Sequence, residues 1–149
     1  MTQEKCGITG ELDIVLRAED GSIKESIHVP NLVVTVGKNF IASRMIGTSP
    51  SVMSHMAVGT ATAIPATSDS TLGTEVGRAR FSVAAAAAGN VVTYTANFAS
   101  GVGTGALTEA GIFNASGAGA GVMLCRTTFP VVNKGASDTL TISWNVTVN

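Results

Sequence analysis

Hydrophobic and polar residues alternate along much of the chain, most regularly near its end. In residues 138–148, apolar side chains at every second position alternate with Thr, Ser and Asn. Successive side chains of a β-strand point to opposite faces, so this pattern predicts a strand with one buried face. The apolar positions are Leu140, Ile142, Trp144, Val146 and Val148. We therefore expect Trp144 to pack in the core.

Shorter runs of β-branched residues, separated by turn residues, predict further strands. The predicted strands cover residues 11–18, 22–29, 32–36, 53–59, 77–88, 91–99, 106–114, 122–129 and 138–148. Asp20-Gly21 and Gly89-Asn90 predict two hairpin turns, because glycine accepts the positive φ of a tight turn. A long Thr/Ala/Pro/Ser loop follows residue 59, and residues 71–77 fit either a helical turn or an irregular crossing.

One short helix is predicted over residues 37–47, where Phe40, Ile41, Arg44 and Met45 fall at helical spacing. Gly47 can end that helix. Short strands with Gly- and Ser-rich turns are typical of an all-β fold, here an antiparallel β-sandwich or jelly roll with one short helix. We expect residues 1–10 to form an N-terminal arm and residues 11–149 to form a single β-sandwich domain.

Composition adds a constraint on the surface. Charged residues make up 13% of the 149 residues, where a soluble domain carries about 25%. Such a chain either hides part of its surface in an assembly or stays soluble through Thr, Ser and Asn. The nine Lys and Arg residues are scattered and the net charge is −1, so nucleic-acid binding is not expected. The sequence also lacks the long apolar run of a membrane span and the leader of a secreted protein.

The cysteines and histidines give no pattern of a metal site. Cys6 and Cys125 are far apart in sequence and can form a disulfide only if the fold brings them together. We favour the alternative, in which both are reduced, buried, small apolar side chains. His28 and His55 have no Cys or carboxylate at metal-ligand spacing. Both histidines are expected at polar strand positions.

Glycine runs at residues 101–105 and 117–121 resemble phosphate-binding loops. A phosphate loop leads into a helix N-terminus, whereas these runs join predicted strands. We therefore expect turns.

Four isolated carboxylates, Asp69, Glu75, Glu109 and Asp138, leave two interpretations open. They can form a paired acid–base site, or they can cap turns and pair with cations. The candidate cations are Arg78, Arg80, Arg126 and Lys134. No Gly-x-Ser-x-Gly nucleophile motif is present. We favour the structural interpretation and predict no catalytic residue, no metal site, no cofactor and no enzymatic activity.

Several separated blocks resemble small structural proteins of tailed bacteriophage virions. The blocks are residues 31–42 (NLVVTVGKNFIA), 56–60 (MAVGT), 103–113 (GTGALTEAGIF), 126–134 (RTTFPVVNK) and 138–144 (DTLTISW). Between them lie a loop containing Pro65 and Asp69 and a segment containing Leu72, Glu75 and Arg78. The resemblance implies a virion protein assembled in the host cytoplasm. Proteins of this kind are described as capsid-decorating, collar or tail-fibre-like components.

The chain has no repetitive shaft and no separate tip, which favours a compact capsid decoration (cement) subunit over a fibre. Its expected partners are further copies of itself and other virion proteins, either the major capsid protein or neck and tail proteins. The alternative is a neck, collar or tail-fibre-like component that binds a receptor or glycan. A glycan site would call for exposed aromatic residues, and the chain has one Trp, one Tyr and five Phe.

Overall fold

A computed structural model describes residues 6–47 and 51–149. Within these residues the strands are β1 (Ile8–Arg17), β2 (Ile23–Pro30), β3 (Leu32–Val33), β4 (His55–Gly59), β5 (Glu75–Arg80), β6 (Ala86–Ala88), β7 (Val91–Phe98), β8 (Gly105–Phe113), β9 (Met123–Lys134) and β10 (Thr139–Val148). Helix α1 spans Thr35–Met45. Residues 8–10 belong to β1, which corrects the predicted arm of residues 1–10; residues 1–5 lie outside the described part.

The strands form two five-stranded antiparallel sheets. Sheet A has the order β2-β1-β10-β7-β6, and sheet B has the order β3-β9-β8-β4-β5. The predicted all-β sandwich with one short helix is therefore confirmed. Both predicted hairpins are present, since β1 pairs with β2 and β6 pairs with β7 around their glycine turns. Gly21 and Gly89 have φ angles of +87° and +60°, where an L-residue with a Cβ is strained.

The core lies between the sheets and follows the predicted alternation. Leu140, Ile142, Trp144 and Val146 of β10 are buried, and Trp144 is fully buried as expected. Val148 departs from the prediction because it is 44% exposed at the end of its strand. The opposite face of β10 carries the Thr, Ser and Asn residues and lies on the outside of sheet A.

The chain passes between the sheets at both edges of the sandwich. At one edge Asn31 joins β2 to β3, and its side chain lies against Gly10, where a Cβ would collide with the Asn31 amide. At the other edge Phe81 follows β5 and makes a bridge with Ala96 of β7. The predicted strand over residues 77–88 is thus two short strands, because the chain changes sheets within it.

The outer face of sheet B is covered by a further layer of chain. A second apolar cluster lies on this outer face. It contains Ala57, Phe113 and Met123, which alternate along their strands with residues of the main core, and it also contains Val34 and Leu72. Leu72 belongs to the long loop of residues 60–74, which we call the covering loop. As a result β8 is buried on both faces over most of its length.

Helix α1 begins two residues before the predicted start and packs on β9. Gly37 lies so close to Leu124 that a Cβ would meet the Leu124 backbone. Gly47, with φ +71°, follows the helix end as predicted.

Strand β9 is longer than predicted and contains Pro130 at a register shift against β8, as expected for a proline tolerated at a bulge. No helix in residues 6–47 and 51–149 is long and apolar enough to span a membrane.

Candidate functional site

The fully buried carboxylate of Glu109 is the centre of a cluster of hydrogen bonds and an ion pair. Strand β8 directs it out of sheet B, under the covering loop. Three backbone N–H groups of that loop donate to it: Ala61 at 2.9 Å, Gly73 at 2.8 Å and Thr74 at 2.8 Å. A carboxylate that accepts several such bonds fixes the backbone that donates them.

Arg126 on the neighbouring strand β9 compensates the charge of Glu109. Its Nε and Nη2 donate to Oε1 of Glu109 at 3.2 and 3.0 Å, and the Arg126 side chain is only 3% exposed. Its Nη1 donates to the Ala63 carbonyl and to Asp69, both at 3.1 Å. Asp69 also accepts the Ala66 N–H at 2.9 Å, which caps the turn between them.

Two glycines allow the covering loop to lie this close to the sheet. A Cβ on Gly59 would collide with the Thr74 carbonyl and come within 2.6 Å of Glu109. A Cβ on Gly73 would collide with Ala61. The loop therefore leaves no room for a Cβ at these two positions. The Thr108 hydroxyl adds a hydrogen bond to the Ala61 carbonyl at 2.7 Å.

This geometry determines what the cluster can do chemically. A general base needs a free lone pair that faces a substrate, whereas the two Glu109 oxygens together accept five N–H donors. The pair is also shielded from solvent. The cluster is built to hold the covering loop in one conformation, so the interpretation of Asp69 and Glu109 as a turn cap and an ion-pair partner is confirmed.

A second ion pair holds the glycine run of residues 117–121. Arg78 contacts Glu75 at 2.7 Å, stacks 3.9 Å from the ring centroid of Phe113, and donates to the carbonyls of Ala115 and Ala120. The Gly119 N–H donates to Glu75 at 3.3 Å. The run joins β8 to β9 and is a turn, as predicted.

A third group holds the turn between β9 and β10. Asp138 accepts from Lys24 at 2.8 Å and from the Gly135 N–H at 2.8 Å, and the Lys24 hydrogen bond is the main reason that the pKa of Asp138 is lowered. Lys134 forms no ion pair with Asp138 in the described part of the chain. Its buried ammonium donates to the Ala99 carbonyl at 3.0 Å, and burial lowers its pKa more than the charge of Asp138 raises it. The glycine run of residues 101–105 follows Ala99 and is likewise a turn between strands.

The two histidines lie in different surroundings. His28 faces Asp13 across the β1–β2 hairpin at 2.7 Å and Glu11 at 3.3 Å, and the Asp13 hydrogen bond raises its pKa. Sequence spacing could not show this group, because the strand register creates it. His55 contacts Ser54 at 2.7 Å, and burial is the main cause of its lowered pKa. Across residues 6–47 and 51–149, no three His, Cys, Asp or Glu side chains are placed to hold a metal ion.

The cysteines are free thiols in unlike positions. Cys125 is fully buried, as expected, and burial raises its pKa well above the usual value. Cys6 is exposed, which corrects the expectation of a buried side chain. The terminal segment before β1 leaves it outside the core.

The surface is divided between a charged and an uncharged part. After Met45, only Arg80 among the charged residues of the described chain is exposed. The other exposed charges lie on the β1–β2 hairpin and on α1. Large apolar side chains are exposed at Ile23, Met45, Ile46, Val52, Ile64, Val76, Val83, Val131 and Val148. Most of these follow Met45, in the part of the chain where Arg80 is the one exposed charged residue among those described.

Comparisons with protein families, curated proteins and solved structures found no match to this chain.

Proposed function

We propose that the protein is a non-enzymatic structural subunit of a tailed bacteriophage particle and that it decorates the capsid as a cement protein. The observation that supports the proposal is the placement of the charged side chains. After Met45 the charged side chains hold loops from the inside, with Arg80 alone exposed among the described residues. Rigid loops with exposed apolar residues and few exposed charges suit permanent contact with neighbouring proteins.

The energetics of such contact follow from the surface. Burying apolar side chains such as Ile64, which is 86% exposed, favours association. Loops already fixed by Glu109 and Arg126 lose little conformational freedom on docking. Because few free charges lie on these loops, the association should be insensitive to salt. A subunit that binds only the assembled lattice stabilises that lattice by mass action.

The resemblance of residues 31–144 to small virion proteins supports the same proposal. The resemblance favours a tailed-bacteriophage particle, and the tied loops offer a physical reason for a packing role. The proposed partners are further copies of the chain and the major capsid protein, and the proposed location is the virion, assembled in the host cytoplasm.

Cryo-electron microscopy of purified particles tests the location. We expect density for the sandwich to repeat over the capsid lattice and to be missing from particles made without this gene. Adding the purified protein to those particles should restore the density and raise the temperature at which they release DNA. Density confined to the neck or tail would overturn the decoration role in favour of a collar or tail-fibre-like component, and absence from the particle would overturn the virion role altogether.

A further inference from the structure

Ser54 and His55 form a hydroxyl–imidazole pair at the start of β4. Oγ of Ser54 lies 2.7 Å from Nδ1 of His55. Both residues are partly exposed, so the pair can be reached from solvent. When the imidazole carries its proton on Nε2, its Nδ1 accepts the hydroxyl proton of Ser54. A serine in hydrogen-bond contact with such a base is the arrangement that makes its oxygen a nucleophile.

The backbone holds this pair in place from both sides. The Ser54 N–H donates to the Phe113 carbonyl at 2.9 Å, and the Ser54 carbonyl accepts from the Phe81 N–H at 3.0 Å. His55 lies opposite Phe113 of β8 and opposite Arg80 of β5 in the strand register. A nucleophile and a base that are fixed in contact need no further ordering before they react.

The surroundings of His55 keep its imidazole neutral. Burial is the main cause that lowers the pKa of His55 below its ordinary value of 6.5, and the charges of Arg80 and Arg78 lower it further. Arg78 is itself paired with Glu75 at 2.7 Å. On the other side the facing residue is Phe113, which carries no charge. The ring is therefore in the form that can take up a proton at neutral pH.

Arg80 indicates the class of molecule that reacts with this pair. Side chains that lie directly opposite on antiparallel strands have Cβ atoms about 4.5–5.5 Å apart, so Arg80 places its charge beside His55. It is the one exposed charged residue after Met45 among those described. An exposed positive charge next to a nucleophile attracts anions to it. We propose that Ser54 is an acylation site that takes its acyl group from an anionic activated donor, such as an acyl phosphate, with His55 as the base.

The step balances without any further reactant. Oγ of Ser54 forms a bond to the carbonyl carbon of the acyl phosphate while the hydroxyl proton moves to Nδ1 of His55. The bond from that carbon to the phosphate oxygen then breaks, and the phosphate leaves with the electron pair and takes the proton from Nδ1. Ser54 keeps the acyl group as an ester. The reaction occurs once per chain, which is compatible with a non-enzymatic subunit.

Acetyl phosphate and the full-length protein test the site. After incubation at neutral pH, mass spectrometry of peptides should find an acetyl group on Ser54 that hydroxylamine removes, as it removes esters but not lysine amides. Ser51→Ala is the matched control, because Ser51 is an exposed serine three residues away, and it should react like wild type. Absence of the ester from Ser54, or equal modification of Ser51 in the wild-type chain, would overturn the proposal.

The role of His55 has its own measurement. His55→Gln should slow acetylation of Ser54 by about a hundredfold or more, as loss of a general base predicts. In the wild-type chain the rate should rise with pH through the lowered pKa of His55 and level off near neutral pH. Trp144 fluorescence checks that the variant is folded. A folded His55→Gln chain that reacts at the wild-type rate would show that His55 is not the base.

A comparison of two donors tests the preference for anions. Arg80→Gln should slow the reaction with acetyl phosphate by about tenfold, as loss of an attracting charge predicts. The same variant should react with neutral nitrophenyl acetate at the wild-type rate, with release of one nitrophenolate per chain. Equal slowing with both donors, or with neither, would overturn the assignment of an anionic donor.

These outcomes are separable from the location test. An acetylated Ser54 in a protein that is absent from the particle would overturn the proposed function and leave this inference standing. An unreactive Ser54 in a protein that decorates the capsid would do the reverse.

Discussion

Arg126 and Glu109 are diagonal neighbours on one face of sheet B, because the β8–β9 register places Arg126 opposite Gly111. Nε and Nη2 of Arg126 both donate to the same oxygen of Glu109, and the Glu109 carboxylate has no exposed surface. Removing a buried ion pair of this kind from water costs free energy, and this cost offsets much of the attraction between the charges. The clearest effect of the pair is therefore to favour one defined arrangement of the surrounding chain. Here that arrangement is the covering loop.

Replacing Glu109 with Gln should therefore destabilise the protein. The substitution keeps the size of the side chain but removes its charge, and it turns an N–H donor toward the N–H groups of the covering loop. Loss of one partner from a buried pair typically costs about 3–5 kcal/mol in the free energy of unfolding. Urea unfolding followed by Trp144 fluorescence measures this. Glu19→Gln, at an exposed position of the β1–β2 turn, should stay within about 0.5 kcal/mol of wild type. Equal stability of both variants would refute the role of Glu109.

Substituting Gly37 with Ala should reverse the usual effect of that change in a helix. In an open helix interior the substitution stabilises by about 1 kcal/mol. In α1 the new Cβ would lie 2.8 Å from the Leu124 carbonyl carbon and closer to its oxygen. The helix must move off β9, and overpacking of this kind costs about 1–3 kcal/mol. Asn39→Ala, an exposed position of the same helix, should be neutral or slightly stabilising in thermal unfolding. A stabilised Gly37→Ala variant would show that α1 is not held against β9.

His28 should titrate at a higher pH in the folded chain than in the unfolded chain, because Asp13 and Glu11 favour its charged form. A group whose folded pKa is raised contributes stability at low pH that is lost as the pH rises through the folded pKa. The contribution of His28 is therefore present below its unfolded pKa near 6.5. NMR titration of the imidazole measures the shift. In Asp13→Asn the His28 pKa should fall toward 6.5, while the pKa of His55 should not change. An unchanged His28 pKa in that variant would show that the pair does not form in solution.

Tyr94 should ionise only at strongly alkaline pH. Burial raises its pKa from 10.0 to about 12. The unfolded chain releases the phenol proton first, so folding stability should decline between about pH 10 and about pH 12. The chain has one tyrosine, and its ultraviolet difference absorbance reports this group alone. Tyr94→Phe should remove the spectral transition and weaken the alkaline loss of stability. A midpoint near pH 10 in the folded protein would contradict the burial of Tyr94 beside Trp144.

The parts of the fold that were predicted from sequence depend on local patterns. The alternation in β10 places Trp144 inward, and the glycines at the hairpin turns mark where strands reverse. No such pattern marks the backbone groups that bind Glu109. The Glu109 carboxylate accepts from backbone N–H groups 35 to 48 residues away. Every residue type except proline carries such a group, so the sequence does not reveal which ones will bind. The one local signal was a single charge within the apolar segment that became β8. Strand β9 was predicted too short because Pro130 reads as a strand end, although a bulge accommodates it.

The pairing of β1 with β10 has a mechanical consequence. The two strands run antiparallel along their whole length, with Ile8 opposite Val148 and Arg17 opposite Thr139. A force that pulls Gly7 and Asn149 apart would act on one pair of hydrogen bonds at a time and open the strands like a zipper. The same bonds resist as a group only when the load is applied along the strands. In the proposed packing role, tension would therefore have to reach the sandwich along its strands, and pulling on Gly7 and Asn149 would be the weakest way to load it.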